Sequence, residues 1–387
     1  MKIMVIGFGR CGGRIAEEFL KFNSRKYRLN VITDCLAVDT DMVSLADLSS
    51  IKANREHRIL IGAKSTRGHG TSNLSRVAAD IAKEDADKVT NSIKNSRHLF
   101  EVDAFVCIGG TAGGTGSGAM PVIIQEIKQR FLGRPVYAIT CLPFENEIKE
   151  ERTIFNTAVC LKSVNSVADA VILIENQRYV PKDTSIEVDI NSINAAIVEP
   201  FYNLLCVGEE KSAGHIGSKV LDAGDIMKTI TGWTGIGYGK TVAPKGESIF
   251  GYLPNFRNKV IESRKGTLVM GEAITQLSIR CDPKDAQKAL YLLSGPSSRM
   301  NMALIKDMEL YLREMVPDAM LRNGDYPVGG KYFEVTVILS GLRDVARVRE
   351  YYTKITKISG ETTTEIKKGD DNQPTGDNIA NTPIKTN

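Results

Sequence analysis

Residues 109–118 read GGTAGGTGSG, and this glycine-rich run dominates the sequence. An apolar stretch, VDAFVCIGG, precedes it and predicts a strand, and PVIIQEIKQRF follows and predicts a helix with Pro121 near its start. Six glycines in ten positions let the backbone approach a ligand, and a helix N-terminus offers unpaired N–H groups to an anion. The hydroxyls of Thr111, Thr115 and Ser117 could also meet a phosphate or its magnesium. The lysine of a Walker A loop is missing, so this pattern predicts a different kind of phosphate loop.

A second glycine-rich loop, GFGRCGG at residues 7–13, also follows a predicted strand and opens a helix. The spacing of Gly7, Gly9 and Gly12 is close to the dinucleotide fingerprint, and taken alone it fits NAD binding or a plain tight turn equally well. Two such loops at neighbouring strand ends would hold a polyphosphate from two sides. Two unrelated turns remain the alternative.

Strands and helices alternate along the first half of the chain, which predicts an α/β fold with a Rossmann-like parallel sheet and helices on both faces. From residue 190 apolar residues repeat at three- and four-residue steps and predict a long central helix. Beyond it the pattern changes to a C-terminal α+β domain, and the chain then becomes polar. We therefore divide the 387 residues into a nucleotide-binding domain, a helix with its following loop, an α+β domain and a disordered tail, at residues 1–186, 187–225, 226–358 and 359–387.

Composition argues against several classes of protein. A net charge of +4 on a chain of this length gives no support to nucleic-acid binding. No apolar run is long enough to cross a membrane, and no secretory signal is recognisable. Seven cysteines without a C-x-x-C pair suggest reduced thiols, and four histidines show no metal-ligand spacing. We expect a cytoplasmic protein with no direct membrane segment and no protein-held metal site.

The run GGTAGGTGSGAMP resembles the signature loop of the tubulin/FtsZ superfamily. The resemblance extends from residue 1 to about residue 358. It is closest to the archaeal CetZ group, which MVIGFGRCGGRIAEEF, RPVYAITCLP, GDYPV and ILSGL resemble. This resemblance implies a protein that binds GTP or GDP with Mg²⁺, and it lets the parts of the site be placed on this chain.

The implied phosphate site has four parts. VDTD places Asp39 where FtsZ-like proteins usually carry Asn, although Asp39 could instead cap a turn. TRGHGTSN, at residues 66–73, resembles the loop that senses the γ-phosphate, with Gly70 and Thr71 in it. Arg10 and Arg14 depart from the small or amide residues of relatives. The residues of the first loop and of the main phosphate cradle are Gly9, Arg10, Cys11, Gly12, Arg14, Gly113, Gly114, Thr115, Gly116 and Ser117.

The resemblance also implies a ribose and base site. Glu147 resembles the carboxylate that binds ribose hydroxyls, and Arg152 could add to that contact. Asn176 resembles the asparagine that contacts the nucleoside, and Asn194 resembles the residue that distinguishes guanine from adenine. Ile190 stands where a relative offers an aromatic ring to the base. Asn176 as a strand-end turn residue, and Asn194 as a solvated helix position, remain alternatives.

Asp222 and Asp225 form a D-x-x-D pattern in KVLDAGDIM, after the central helix. The spacing places both carboxylates on the first turn of a helix, where they could cap it. The pattern also resembles the catalytic loop of FtsZ, which completes the active site of the next subunit. That reading makes Asp222 and Asp225 catalytic residues that orient water for phosphoanhydride hydrolysis.

The resemblance implies a cytoskeletal GTPase that assembles head to tail and hydrolyses GTP between copies of itself, with a role in cell shape. Its main partner would be itself, and the tail after residue 358 could bind further proteins. Two alternatives remain open. One is a filament scaffold that binds GTP without hydrolysing it, and the other is an NAD-dependent oxidoreductase, which would leave the second glycine loop and the aspartate pair unexplained.

Overall fold

The computed structural model describes residues 1–25, 29–180, 189–207, 209, 221–243 and 256–370, and at residues 25, 256–265, 299 and 359–370 it describes the backbone alone. Within these ranges the chain forms ten strands and twelve α-helices. The strands are β1 Ile3–Phe8, β2 Ile32–Asp39, β3 Arg58–Leu60, β4 Ala104–Gly110, β5 Val136–Leu142, β6 Ala170–Glu175, β7 Gly232–Val242, β8 Lys288–Gly295, β9 Met320–Pro327 and β10 Tyr332–Leu342.

The helices alternate with the strands in the N-terminal half and cluster between them in the C-terminal half. They are α1 Gly9–Arg25, α2 Met42–Ala46, α3 Ala63–Thr66, α4 Ser75–Glu84, α5 Ala86–Lys94, α6 Gly114–Arg130, α7 Glu151–Val167, α8 Ile190–Cys206, α9 Ala223–Thr229, α10 Phe256–Thr275, α11 Met302–Met315 and α12 Ala346–Asp370.

All ten strands belong to one sheet, in the order β3-β2-β1-β4-β5-β6-β7-β10-β8-β9. The seven strands from β3 to β7 are parallel, whereas β10 runs antiparallel to both β7 and β8. The predicted parallel N-terminal sheet is confirmed. The sequence did not indicate that the C-terminal strands would extend the same sheet, which they do where residues 170–172 of β6 pair with residues 232–234 of β7.

Helices cover both faces of the sheet, as predicted. Alternate residues of β1 divide between two apolar clusters: Met4 and Ile6 contribute to one, and Ile3 and Val5 to the other. The first cluster is completed by α4–α7 and α10–α12, and the second by α1, α8 and α9. Successive strand residues point to opposite faces, so this alternation fixes which helix packs on which side.

Three boundaries differ from the sequence predictions. Helix α6 begins at Gly114, inside the glycine run, so Pro121 lies within the helix and not near its start. Helix α8 is the predicted central helix, and it continues through Pro200. The last helix reaches Asp370, so regular structure extends past the predicted boundary at residue 358. Residues 371–387 of the predicted tail lie outside the described residues.

Candidate functional site

A cavity of about 600 Å³ opens at the carboxyl ends of the parallel strands. Five strands, β1, β2, β4, β5 and β6, each contribute to its wall a residue at or just after the end of the strand. In the same order these residues are Phe8, Asp39, Gly110, Phe144 and Asn176. In an open parallel sheet this edge is where ligands bind, because loops and helix N-termini meet there.

The N-terminus of α6 faces this cavity without a side-chain cap. Gly113 occupies the N-cap position, and among the described residues no side chain accepts from the backbone N–H groups of the first turn. Gly113, Gly114, Thr115 and Gly116 all line the cavity. A helix start that no side chain caps leaves its N–H groups and its partial positive charge to a bound anion.

Ser117 does not line the cavity, contrary to its predicted place in the phosphate cradle. Its hydroxyl donates to the carbonyl oxygens of Gly113 and, at 3.2 Å, of Gly114. Ser117 therefore braces the loop from inside the helix. The run requires glycine at Gly116, because an added Cβ there would lie 2.4 Å from the carbonyl oxygen of Gly110.

The first glycine loop supplies the opposite wall. Gly9, Arg10, Cys11 and Arg14 line the cavity, and Gly9 adopts a positive φ of 68° that favours glycine. Gly12 does not line it. A Cβ at Gly12 would lie 2.1 Å from the carbonyl oxygen of Ile108, so this glycine serves the close packing of α1 on β4.

Arg10 and Arg14 place two cations at the rim of the cavity. Each has an Nη2 atom 3.5 Å from the Oδ2 atom of Asp47, which follows α2. One carboxylate thus orients both guanidinium groups, whose fork-shaped donors suit phosphate oxygens. These cations partly offset the acidic residues on the same wall.

Asp39 is the most buried carboxylate of the cavity, with 4% of its surface exposed. Its Oδ1 atom accepts hydrogen bonds from the N–H of Thr40 at 2.7 Å, from the N–H of Asp41 at 3.3 Å and from the Thr115 hydroxyl at 3.1 Å. Burial raises the pKa of Asp39 to about 6, although these hydrogen bonds oppose the shift. The Thr40 and Thr115 hydroxyls are also 2.8 Å apart, so β2 and α6 are linked through this network.

The 66–73 loop closes another side of the cavity, where Gly70 and Thr71 line the wall as predicted. It bends sharply: Ser72 and Asn73 adopt φ values of 50° and 58°, which side chains rarely do. Arg152 lies behind this loop and not on the cavity wall. Its Nη1 atom donates to the carbonyl oxygen of Ser72 at 3.3 Å, so Arg152 helps to position the loop.

Asn156, which the sequence reasoning missed, joins two loops of the site. Its Nδ2 atom donates to the carbonyl oxygens of Asn73 and Ala112, both at 2.8 Å. The first belongs to the 66–73 loop and the second to the glycine run. Asn156 lies inside α7, where nothing in the local sequence distinguishes it from an ordinary polar helix position.

The far end of the cavity brings together Glu147, Asn176, Ile190 and Asn194, the residues predicted to form a ribose and base site. Asn194 is only 6% exposed, and its amide makes no hydrogen bond with any residue that the structure describes. A buried amide facing a cavity without a protein partner is costly unless a ligand or water satisfies it. One carboxylate oxygen of Glu147 accepts from the Phe144 N–H at 2.8 Å.

Several wall residues were not predicted individually. Most lie within or beside motifs that were recognised, which is the signal that could have identified them. Phe144 follows β5 and places an aromatic ring on the wall, whereas Ile190 is aliphatic. The polar and aromatic residues of the wall that were missed are Phe8, Thr40, Asp41, Ser44, His69, Ser72, Asn73 and Phe144.

Asp222 and Asp225 do not line the cavity. Asp222 is the N-cap of α9, and its Oδ1 atom accepts from the N–H of Asp225 at 2.7 Å. The carboxylate of Asp225 forms an ion pair with Arg322 of β9. In one copy of the chain both acids therefore have structural partners.

Among the residues that the structure describes, no cluster of three or more His, Cys, Asp or Glu side chains is arranged to hold a metal ion. None of the described helices combines the length and the apolar character that a membrane span needs.

The sequence matches two protein-family models that adjoin one another. The model for the GTPase domain of the Tubulin/FtsZ family matches residues 2–181. The model for the C-terminal domain of Tubulin-like CetZ matches residues 183–356. The two matches meet close to the predicted boundary at residue 186.

Whole-chain comparisons agree with these models. The Tubulin-like protein CetZ1 of Haloferax volcanii is 29% identical over 364 residues, or 90% of each chain. The Tubulin-like protein CetZ of Thermococcus kodakarensis is 27% identical over 381 residues, covering 95% of this chain and 91% of that protein.

Solved structures show the same fold. The GDP-bound CetZ1 monomer from Haloferax volcanii superposes with a TM-score of 0.79 at 26% identity, covering 93% of this chain and all of that one. The GTPgS-bound CetZ2 protofilament from the same organism gives a TM-score of 0.80 at 24% identity, covering 94% of this chain and all of the other, and supports the fold alone. The resemblance read from the glycine run is thus confirmed: the chain belongs to the tubulin/FtsZ family and joins its GTPase domain to a CetZ-type C-terminal domain.

Proposed function

We propose that this protein binds GTP in the cavity, assembles head to tail into protofilaments and hydrolyses GTP where two copies meet, in the control of cell shape. One observation carries the proposal: the cavity has an uncapped helix N-terminus at one end and, at the other, the buried amide of Asn194, which bonds to none of the described residues. The first suits phosphates and the second suits the hydrogen-bonding edge of guanine.

The cavity residues divide into phosphate and nucleoside roles. The α6 N-terminus would bind the terminal phosphates, with Arg10 and Arg14 adding positive charge from the rim. Gly70 and Thr71 would contact the γ-phosphate. At the other end Glu147 would accept hydrogen bonds from ribose hydroxyls, while Phe144 and Ile190 would cover the base and Asn176 would contact the nucleoside.

The donor set at the phosphate end also fits Mg²⁺, which prefers a few oxygen ligands together with substrate phosphates. The Thr115 hydroxyl and the carboxylates of Asp39 and Asp41 offer such oxygens on one wall. A bound Mg²⁺ would neutralise charge on the β- and γ-phosphates. The burial of Asp39 disfavours its ionised form, and a cation or the α6 N-terminus nearby would reduce that penalty.

Hydrolysis requires a positioned water molecule. Asp222 and Asp225, at the start of α9, do not line the cavity of their own chain. We propose that Asp222 and Asp225 orient this water in the cavity of the next subunit. Head-to-tail contact would then complete every site and also extend an open filament, because a heterologous contact that does not close propagates. A positioned carboxylate of this kind contributes about 10²–10⁴-fold to rate.

A filament scaffold that binds GTP without turnover is the second candidate. The capping role of Asp222 and the ion pair between Asp225 and Arg322 favour it, since both acids already have partners. Family membership leaves no support for an NAD-dependent oxidoreductase.

We place the protein in the cytoplasm, in keeping with seven cysteines that are all free thiols. The residues after 370 would be a site for other protein partners.

The deciding experiment measures GTP hydrolysis at increasing protein concentration, with pelleted protein measured in the same tubes. Turnover per molecule should rise above a threshold concentration at which protein begins to pellet. Constant turnover per molecule would place all catalytic groups in one chain and remove the role of Asp222 and Asp225. Pelleting with GTP but without hydrolysis would support the scaffold.

A further inference from the structure

Two cysteines that are distant in sequence meet beneath the nucleotide cavity. Cys11 lies in the first turn of α1 and lines the cavity, and Cys141 lies near the end of β5 and is buried. Both belong to the apolar cluster on the α1 face of the sheet, with Cys11 packed against it. The sequence has no C-x-x-C spacing that would indicate this pair.

Gly110 provides the space in which the two side chains approach. A Cβ on Gly110 would lie 3.2 Å from the Cβ of Cys11 and 3.4 Å from its sulfur. Gly110 is also the register partner of Cys141 in the parallel pairing of β4 with β5. Register partners on neighbouring strands lie about 5 Å apart and project to the same face, so Cys141 points to the side where Cys11 sits.

The two thiols differ in chemistry. The neighbouring Cys141 thiol lowers the pKa of Cys11, with a smaller contribution from Arg14, while burial opposes the shift. The pKa of Cys141 is raised by its proximity to Cys11 and by burial. Cys11 also lies at a helix N-terminus, which favours a thiolate. A reactive, partly exposed thiol beside a buried second thiol is the arrangement of redox-sensing pairs.

We propose that Cys11 and Cys141 form a reversible dithiol–disulfide site that controls how tightly the cavity binds guanine nucleotide. The identity of that ligand rests on the function proposed above, whereas the disulfide itself does not. In the reducing cytoplasm, disulfides are usually transient and serve catalysis or redox sensing.

Hydrogen peroxide is the oxidant of the proposed reaction. Cys11 first loses its proton, and its thiolate attacks one oxygen of hydrogen peroxide, so that an S–O bond forms and the O–O bond breaks. The leaving hydroxide takes up the proton that Cys11 lost and departs as water. The Cys141 sulfur then attacks the Cys11 sulfur, and the S–O bond breaks. The departing hydroxide takes the Cys141 proton and leaves as a second water. The two thiols lose two electrons and the peroxide gains them.

The disulfide would act on the cavity through the first turn of α1. It would fix Cys11 against β5, and with it the neighbouring Gly9 and Arg10, which line the same wall. A first loop held in one position adapts less well to phosphates, so nucleotide affinity should fall. Bound nucleotide should in turn cover Cys11 and slow its oxidation.

The test uses the full-length chain, reduced and then treated with hydrogen peroxide. Mass spectrometry of unreduced peptides detects a Cys11–Cys141 crosslink, and calorimetry measures GDP affinity before oxidation, after it and after dithiothreitol. Cys141→Ser removes the second thiol, with Cys141→Ala as a second variant should serine disturb the buried site. Cys281→Ser is the control, since Cys281 is also partly exposed but does not line the cavity.

We expect the crosslink to form and GDP affinity to fall about tenfold, with recovery on reduction. Saturating GDP should slow the crosslink. The reversible fall should be absent in both Cys141 variants and retained in Cys281→Ser, each compared with its own reduced form. If the protein binds GDP but no crosslink forms, the dithiol site is overturned and the proposed function remains intact. If the crosslink forms but GDP affinity is unchanged, the proposed control of nucleotide binding is overturned. Reduced protein that binds no GDP overturns the proposed function, and the crosslink then still decides whether the dithiol site exists.

Discussion

The starts of helices α6 and α9 differ in how they satisfy their first-turn N–H groups. At α6 the N-cap is Gly113 and no side chain caps the helix, and this end opens into the cavity. At α9 the N-cap is Asp222, whose carboxylate accepts from the N–H of Asp225, while Asp225 pairs with Arg322. The α9 end is closed within its own chain.

This difference shows how the same backbone feature serves two purposes. Unsatisfied N–H groups at a helix start need an acceptor, which a side chain or a ligand can provide. Glycine at the cap of α6 provides none, which leaves that role to a ligand or water. At α9 the acid caps its own helix first, and any catalytic role must be additional to capping.

Replacing Asp222 with Asn separates capping from charge and carries the largest expected effect. Asn caps helices about as well as Asp, so Asp222→Asn should keep the free energy of unfolding within about 0.5 kcal/mol. If the carboxylate orients water for the neighbouring subunit, GTP turnover in assembled protein should fall about a thousand-fold. Urea unfolding and phosphate release per pelleted subunit measure the two quantities.

Asp222→Ala is the comparison for that variant, because it removes both the cap and the charge. It should lower the free energy of unfolding by about 1 kcal/mol and lose turnover to a similar degree. Normal turnover in Asp222→Asn together with reduced stability in Asp222→Ala would show that Asp222 only caps α9.

Closing the α6 end should have the next largest effect. The Cβ of Gly116→Ala would lie 2.4 Å from the carbonyl oxygen of Gly110, so the start of α6 must move. We expect GDP affinity to fall several hundred-fold, since the N–H groups would no longer be aimed at phosphate. Calorimetric titration with GDP measures the loss.

Gly113→Ala is the matched control for folding in the same loop. A Cβ at Gly113 meets no atom within 4 Å and its φ of −76° suits any residue, so its unfolding temperature without nucleotide should match that of the wild type. Full GDP affinity in folded Gly116→Ala would mean that phosphates do not bind at the start of α6.

Asp39→Asn tests the charge beside the open helix end, and its effect should depend on pH. Below pH 3.8 Asp39 is protonated in both the folded and the unfolded chain. As the pH rises from there to about 6 the unfolded chain ionises first, so the free energy of unfolding of the wild type falls. The penalty levels off above pH 6 at about 3 kcal/mol. Asn avoids it and keeps an oxygen acceptor, so the variant should be the more stable protein by an amount that grows across this range.

Urea unfolding without nucleotide, at several pH values, measures that difference. Asp41→Asn is the control, since Asp41 lines the same cavity, is less buried and caps α2, where Asn serves equally well. An advantage of Asp39→Asn that does not change with pH would mean that burial of the charge is not its cause.

Much of the fold and of the cavity could be predicted because their signals are local. The parallel sheet follows from apolar runs that alternate with helical patterns. The wall residues around Gly9, Gly70, Gly113 and Asn194 follow from motifs that are contiguous in sequence. The continuous sheet across β6 and β7 could not be predicted, because strand pairing between distant segments depends on how their helices pack.

Three predicted site residues that do not line the cavity share one feature. Gly12, Ser117 and Arg152 lie inside or beside recognised motifs, but their neighbours in space turn them away from the cavity. Asn156 and Phe144 lie outside the motifs and were missed. A motif fixes the path of the backbone, whereas the direction and partner of each side chain depend on what packs against it.

The sequence by itself determined that two glycine loops end two strands and open two helices, because glycine and helix-start chemistry act over a few residues. Only the tertiary structure decided that one helix start is open and the other is closed. It also decided that Cys11 and Cys141 meet beneath the open one. The pairing of Asp225 with Arg322, 97 residues apart, and the approach of Cys11 to Cys141 depend on strand register and on packing between distant segments, which no local pattern encodes.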